Sequence, residues 1–288
     1  MINLLRSLLF IPANRKKMLD KMDILKPDAF ILDLEDSVPE EYKDLARDNI
    51  LEKLRESRQD GNNIFIRINE IDSRHVYKDI DKTIKLEILG YILPKFENTV
   101  QLKKIMDYIS KKEKEYKIPS EIKIILMIES SRGLLELDNN GIISDRIIGL
   151  ALGGEDYLFS LAVLGRISED MLDFARKKII LHAKAEGILS IDTVYKDFKD
   201  IEGLKKELRK IVSMGFNSKL AIHPNQIDII NSAFTPSEEE IEKMKMVLRY
   251  KEKILSQGAI NINGVMYDLP HLKWSQKIKD YLDKIYGK

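Results

Sequence analysis

The chain has 288 residues, 48 Lys and Arg against 47 Asp and Glu, and no cysteine. Near-neutral charge leaves no global field to draw it to nucleic acid or a membrane surface, and the lack of cysteine excludes disulfides, thiolate metal sites and a cysteine nucleophile. Apolar residues make up 44% of the chain, enough for a sizeable core, with no run as long as a membrane span, so the expectation is a soluble cytoplasmic protein with either one large α/β barrel or two ordinary domains.

Eight strands are predicted, at 7–12, 29–35, 64–69, 90–95, 122–129, 147–156, 187–194 and 219–224. The opening segment faintly resembles a secretion signal, but Arg6 interrupts its apolar part and no small-residue cleavage site follows, so it reads as the first strand. Helical patterns fill most gaps. Residues 14–25 carry Met18, Leu19 and Met22 at helical spacing, and Ser37-Val-Pro-Glu40 has capping-box spacing before a helix at 40–57. Asn98-Thr-Val-Gln101 opens the next helix in the same way, and 170–186, 203–214 and 225–234 follow. Alternating strands and helices argue for a parallel sheet, and eight such units fit an α/β fold of the (β/α)8 TIM barrel type.

Polar residues stand at the ends of these strands. Asp33, Glu35 and Asp36 close the second, Arg67 and Asn69 the third, Lys95 the fourth, Glu129 the fifth, Asp156 the sixth, Asp192 the seventh and His223 the eighth. The C-terminal ends of barrel strands converge on one face, where the chemistry of this fold sits. Two of the runs, Ile-Ile-Leu-Met-Ile-Glu129 and Ile-Ile-Gly-Leu-Ala-Leu-Gly-Gly-Glu-Asp156, are β-branched stretches that each stop on a carboxylate. Two such carboxylates call for a shared cation, and with no Cys or adjacent His the ligands would be oxygens, which favours Mg²⁺ over Zn²⁺. The alternative from these runs alone is pairing with Arg132 or Arg146, or capping of the helices that follow.

After Phe234 the pattern changes. Thr235-Pro-Ser-Glu238 opens another helix, residues 258–268 read as a hairpin about Asn263-Gly264, and a final helix from His271 carries the only Trp, Trp274. The expected organisation is a catalytic barrel at 1–234 and a C-terminal extension of helices and a hairpin at 235–288. That extension is either a packing cover, or a lid or subunit-exchange arm that brings a residue to the barrel mouth.

In order, Arg6-Ser-Leu-Leu-Phe-Ile-Pro12, Asp33-Leu-Glu-Asp-Ser-Val38, Arg67-Ile-Asn69, Leu93-Pro-Lys95, Ile128-Glu-Ser-Ser-Arg-Gly133, Gly153-Gly-Glu-Asp156, Ile191-Asp-Thr-Val-Tyr-Lys-Asp-Phe198 and Ala221-Ile-His-Pro-Asn-Gln226 resemble the motifs of the citrate lyase β-subunit-like family, within the HpcH/HpaI aldolase superfamily. Asn263-Gly-Val-Met-Tyr-Asp268 is similar to a further family motif. The family's opening loop usually has Gly after the Pro, where this chain has Ala13-Asn14. The resemblance implies a homotrimer or hexamer acting on small acyl-CoA and 2-oxoacid substrates. Glu129 and Asp156 would ligate Mg²⁺, or Mn²⁺, and Arg67 would bind substrate and its oxyanion. Glu35 and Asp36 would hold the metal's waters, and Asp268 of a neighbouring subunit would transfer the proton. Arg15, Lys16 and Lys17 are candidates for the phosphates of coenzyme A, against the alternative of a solvated helix face. Lys95 reads as an electrostatic or structural residue, and His223 as part of the barrel wall.

The implied activity is reversible cleavage of a malyl-, citramalyl- or citryl-type 3-hydroxyacyl-CoA to a 2-oxoacid and acetyl- or propionyl-CoA. Two alternatives stand beside it. One is a malyl- or citramalyl-CoA thioesterase on the same site, and the other is the β subunit of a larger citrate lyase acting on a citryl-acyl carrier protein.

Overall fold

The computed structural model describes residues 5–56, 63–162 and 169–287. They form two compact units, residues 5–231 and residues 232–287. No helix among the described residues is long and apolar enough to cross a membrane.

The first unit is a closed, all-parallel (β/α)8 barrel. Its strands are β1 (Ser7–Pro12), β2 (Ala29–Asp33), β3 (Ile64–Arg67), β4 (Gly90–Leu93), β5 (Lys123–Ile128), β6 (Ile147–Leu152), β7 (Leu189–Asp192) and β8 (Ser218–Ala221), in sequence order, with β8 pairing back to β1. Helices α1 (Lys16–Leu19), α2 (Lys43–Glu56), α3 (Val76–Thr83), α4 (Thr99–Tyr116), α5 (Ser131–Asn140), α6 (Gly154–Leu161), α7 (Glu169–Ala185), α8 (Ile201–Met214) and α9 (Ile227–Ala233) follow the strands. Every residue of β2, β3, β4, β6 and β8 is buried. That two-sided burial explains why the runs read as continuously apolar rather than alternating.

Seven of the strands differ from the sequence prediction at their ends, and all seven stop one to four residues early. After β2 the polar residues leave the ladder to satisfy one another. Beyond Asp33 the chain folds over its own side chain, whose carboxylate accepts the backbone N–H of Glu35 at 3.0 Å and of Ser37 at 3.3 Å. Asp156 stands in the first turn of α6 rather than at a strand end.

The local caps vary. Asn98 caps α4 by accepting from Val100 N and Gln101 N, as its spacing predicts. Ser37 caps nothing, because its hydroxyl donates to Asp33, and α2 begins only at Lys43 after a 3-10 turn over Glu40–Tyr42. The predicted helix at 14–25 is α1 plus a 3-10 turn at Asp20–Asp23. Its buried residues, Leu19 and Met22, are three apart, a spacing that a 3-10 turn satisfies as well as an α-helix.

The second unit contains α10 (Glu238–Arg249), α11 (Lys251–Gln257), a hairpin of β9 (Ala259–Ile262) and β10 (Val265–Asp268), and α12 (Leu269–Tyr286). Val247, Ile254, Ile262, Tyr267 and Leu272 form its core. Asn263 and Gly264 both have positive φ, 52° and 86°, as the tight hairpin turn predicted at that dipeptide requires. Two caps differ from prediction by two residues: the capping box before α10 is Ser237 with Glu240, and α12 starts at Leu269 on an Asp268 cap.

Candidate active site at the barrel mouth

The parallel register of β2 and β3 places Asp33 beside Arg67. Arg67 answers with a two-pronged bond, Nε to Oδ1 at 2.6 Å and Nη2 to Oδ2 at 2.7 Å. Burial works against the charge of Asp33, but the Arg67 guanidinium outweighs it and holds the carboxyl below its usual range. Burial likewise opposes the charge of Arg67, and Asp33 more than restores it. Asp33 thus orients a permanently charged fork whose remaining nitrogen, Nη1, lies 3.1 Å from Glu35 Oε2 and 3.9 Å from Asp36 Oδ2. The guanidinium carbon sits 4.8 Å from the centre of the Phe10 ring, which limits it on that side.

After β4, Lys95 adopts a left-handed backbone, φ 50°. Its N–H donates to Glu129 Oε2 at 2.7 Å. Its ammonium lies 2.8 Å from Glu35 Oε1, 3.4 Å from Asp36 and 3.5 Å from Glu70. Glu129 follows β5 directly and is buried. Opposite it, the chain leaves β6 through Gly153 and Gly154, and Gly154 N donates to Thr193 Oγ1 at 3.0 Å. This fastens the start of α6, the helix whose first turn carries Asp156.

Arg67, Glu129, Asp156, Met127, Leu220 and Ile222 all line one cavity of about 280 Å³. Burial, with added repulsion from Glu35 and Asp156, pushes the Glu129 carboxyl up to about 8 against the pull of Arg67. Burial pushes Glu35 up to about 7, and burial and Asp36 raise Asp156. Arg67 and Lys95 do not neutralise this acid, so the site favours a further positive charge. No group of three or more acidic or His residues forms a ready-made metal cage among the described residues. Glu129 and Asp156 nevertheless fit as two ligands of a hard dication whose other positions belong to water and substrate oxygens, and an all-oxygen donor set suits Mg²⁺.

The structure therefore gathers Glu35, Asp36, Arg67, Glu129 and Asp156. Arg146, an alternative partner for the carboxylates, instead forks onto Glu113 at 2.7 and 2.9 Å. Three other strand-end residues face elsewhere. Asp192 accepts from Arg176 and Lys219 in a fully buried cluster, Asn69 donates to Asp79 of α3 at 2.7 Å, and His223 caps a 3-10 turn while stacking on Phe198. Arg15, Lys16 and Lys17 lie on the exposed start of α1, where Lys16 pairs with Glu52. Asp268 caps α12 in the second unit. Its Oδ1 is 2.6 Å from His271 Nδ1, a hydrogen bond that holds the carboxyl below its usual range. Sequence reasoning reads Gly153-Gly154 as small residues that set pocket volume, and assigns no role to Asp33 as the anchor of Arg67, to Thr193, or to Gly153 as the wall that confines Glu129. The Gly-Gly pair ahead of Glu155-Asp156 was the visible signal of the last.

The HpcH/HpaI aldolase/citrate lyase family pattern matches residues 6–224. A mitochondrial citramalyl-CoA lyase of Mus musculus is 33% identical, over 95% of this chain and 84% of its own. The citrate lyase subunit beta of Leuconostoc mesenteroides subsp. cremoris is 32% identical, over 95% and 91%. The crystal structure of CitE from Mycobacterium tuberculosis in complex with magnesium, acetoacetate and coenzyme A superimposes with a TM-score of 0.75 at 28% identity, over 95% of this chain and 96% of that one. The chain belongs to the HpcH/HpaI aldolase/citrate lyase family and is a lyase of that family.

Proposed function

We propose that the barrel reversibly cleaves a 3-hydroxyacyl-CoA to a 2-oxoacid and acetyl- or propionyl-CoA, with Mg²⁺ held by Glu129 and Asp156. The observation that carries this reading is the meeting, in one cavity, of two raised-pKa carboxylates with a guanidinium already oriented by Asp33. A bound Mg²⁺ would supply Lewis-acid polarisation of the substrate oxygen that becomes the ketone. Arg67 faces the charge on that oxygen and on the adjacent carboxylate, and its bond to Asp33 means that it need not reorganise as charge develops. Glu35 and Asp36, gripped by Arg67 and Lys95, orient water at the mouth. As the C–C bond breaks, the substrate hydroxyl gives its proton to water held by Glu35 and Asp36 and its oxygen becomes the ketone, while the electron pair of the bond passes to the thioester fragment as an enolate, which takes a proton at carbon. Asp268 of a neighbouring subunit is the residue we assign to that proton, acting as base in the condensation direction. Arg15, Lys16 and Lys17 are assigned to the CoA phosphates, with Lys16 exchanging Glu52 for phosphate.

The cavity also bears on the oxoacid. Among the described residues that line it, Arg67 is the one cation, Asp33, Glu129, Glu155 and Asp156 are acidic, and the rest are mostly apolar. A second carboxylate on the oxoacid would meet no counter-charge there. This favours glyoxylate or pyruvate, and hence malyl- or citramalyl-CoA over citryl-CoA.

The test is to incubate the purified chain with malyl-, citramalyl- and citryl-CoA, with Mg²⁺ or with EDTA, and to separate the products. A 2-oxoacid plus a shorter acyl-CoA, formed only with the metal, supports the lyase. Free CoA with the intact hydroxy acid makes it a thioesterase, and turnover only on an acyl carrier protein makes it a subunit of a larger enzyme.

A further inference from the structure

Among the described residues, three other than glycine have positive φ. Lys117 closes α4 and Asn263 makes the hairpin turn, so in both the left-handed conformation ends or reverses an element. Lys95 closes no helix. It sits in the loop after β4, and its unusual backbone turns its N–H onto Glu129 Oε2 at 2.7 Å. Across from that bond, a Cβ on Gly153 would lie 2.4 Å from Glu129 Oε1, so the carboxylate is confined on both sides. The ammonium of the same residue lies 2.8 Å from Glu35 Oε1. That buried oxygen makes no hydrogen bond of good geometry, so the ion pair is what compensates it. Strained backbone of this kind persists where surrounding contacts over-determine it, and it concentrates at functional sites.

We infer that Lys95 is a two-handed positioning residue, whose left-handed main chain sets the orientation of Glu129 and whose ammonium sets that of Glu35. The two functions are separable. A glycine keeps the N–H and adopts the left-handed backbone freely but has no ammonium. A β-branched residue also lacks the ammonium and resists that backbone. The inference rests on reading Glu129 as a metal ligand.

The experiment compares Lys95→Gly, Lys95→Val and Lys95→Arg in the full chain. It measures the Mg²⁺ dissociation constant by calorimetry without substrate, the kcat of cleavage, and the melting temperature in EDTA. Lys95→Gly should bind Mg²⁺ about as tightly as the native chain yet lose about tenfold or more in kcat. Lys95→Val, with the same loss of charge, should bind Mg²⁺ about tenfold more weakly than Lys95→Gly. Lys95→Arg should recover most of the kcat lost in Lys95→Gly. If Lys95→Val does not fold, Lys95→Thr takes its place, since its branched Cβ also resists a left-handed backbone. Equal Mg²⁺ affinity in the Gly and Val (or Thr) variants, or an unchanged kcat in Lys95→Gly, overturns the assignment. If the native chain itself binds no Mg²⁺, the metal reading of Glu129 falls, and the Lys95 inference falls with it.

Discussion

Gly153 and Glu129 are in contact such that only a hydrogen fits between them: a Cβ on Gly153 would lie 2.3 Å from Glu129 Cγ and 2.4 Å from Oε1. The backbone of Gly153, φ −86° and ψ 75°, does not itself demand glycine. A methyl group there collides with the side chain of Glu129 and with no backbone atom among its three nearest neighbours, so Gly153→Ala should fold normally and displace only that side chain. The expected result is a melting temperature in EDTA close to native with a fall of about a hundredfold in Mg²⁺-dependent turnover, the scale that a displacement of about 1 Å at a reacting centre produces. Native turnover in Gly153→Ala would show that the confinement of Glu129 has no catalytic purpose.

The raised acids at the mouth tie stability to pH. The carboxyls of Glu129 and Glu35 rise from the ordinary 4.5 to about 8 and about 7 in the fold. The folded chain keeps those protons to higher pH than the unfolded chain. Their contribution is therefore fully present below about pH 4.5 and is lost as pH climbs toward 8. Without metal, the melting temperature should fall across that range, and added Mg²⁺ should raise it more at pH 8 than at pH 6. Glu129→Gln should flatten the slope in EDTA and abolish the Mg²⁺ effect. A melting series by differential scanning fluorimetry checks this, and a Mg²⁺ shift that is the same at every pH would contradict it.

Asp192 supplies the opposite case. Its carboxylate takes Arg176 Nε at 2.8 Å and Nη2 at 3.1 Å, and Lys219 Nζ at 2.7 Å, while Glu207 accepts one further bond from each cation and Lys219 also donates to the Thr193 carbonyl at 2.7 Å. Burial raises the cost of this charge, but Lys219 and Arg176 reverse it and hold the carboxyl low. Removing the fully buried Asp192 strands the buried Arg176 and Lys219, at a cost of about 3–5 kcal/mol. Asp192→Ala should lose that much in urea denaturation while the folded fraction keeps its Mg²⁺ affinity. A variant with native stability would mean that water replaces the lost carboxylate.

Glu129 and Asp192 differ in how legible their places are in the sequence. The barrel was legible because eight apolar runs alternate with helical periods, and two-sided burial leaves that signature in any parallel sheet. That Glu129, Asp156, Arg67, Glu35 and Asp36 stand at one face was legible because the C-terminal ends of barrel strands, and the loops and helices that leave them, converge there, while their individual roles follow only from the family resemblance. Asp192 and Asn69 stand at equivalent places in the sequence and were grouped with them, yet Asp192 lies outside the cavity that its neighbour Thr193 lines. Only the pleat separates Asp192 from Thr193, and a run buried on both faces gives no polarity pattern from which to assign it. The Asp33–Arg67 fork depends on strand register, and the roles of Gly153 and the Lys95 N–H depend on backbone paths in loops. No composition or spacing encodes either. The Ser37 cap failed because Asp33 competes for the same hydroxyl.

Asp268 has two duties that one substitution can part. As the cap of α12 it accepts the His271 N–H, which an asparagine oxygen can also do, so Asp268→Asn should leave the melting temperature close to native. As the proton-transfer residue it must change protonation, which asparagine cannot. Condensation of acyl-CoA with oxoacid should then fall by about a hundredfold or more, and solvent deuterium should no longer enter the acetyl carbon. If the residue serves a neighbouring subunit, a co-refolded mixture of Asp268→Asn and Glu129→Gln chains should regain turnover, because some sites then draw an intact Asp268 and an intact Glu129 from different chains. A mixture as inactive as its parents would confine Asp268 to its own chain, and native condensation in Asp268→Asn alone would return it to capping.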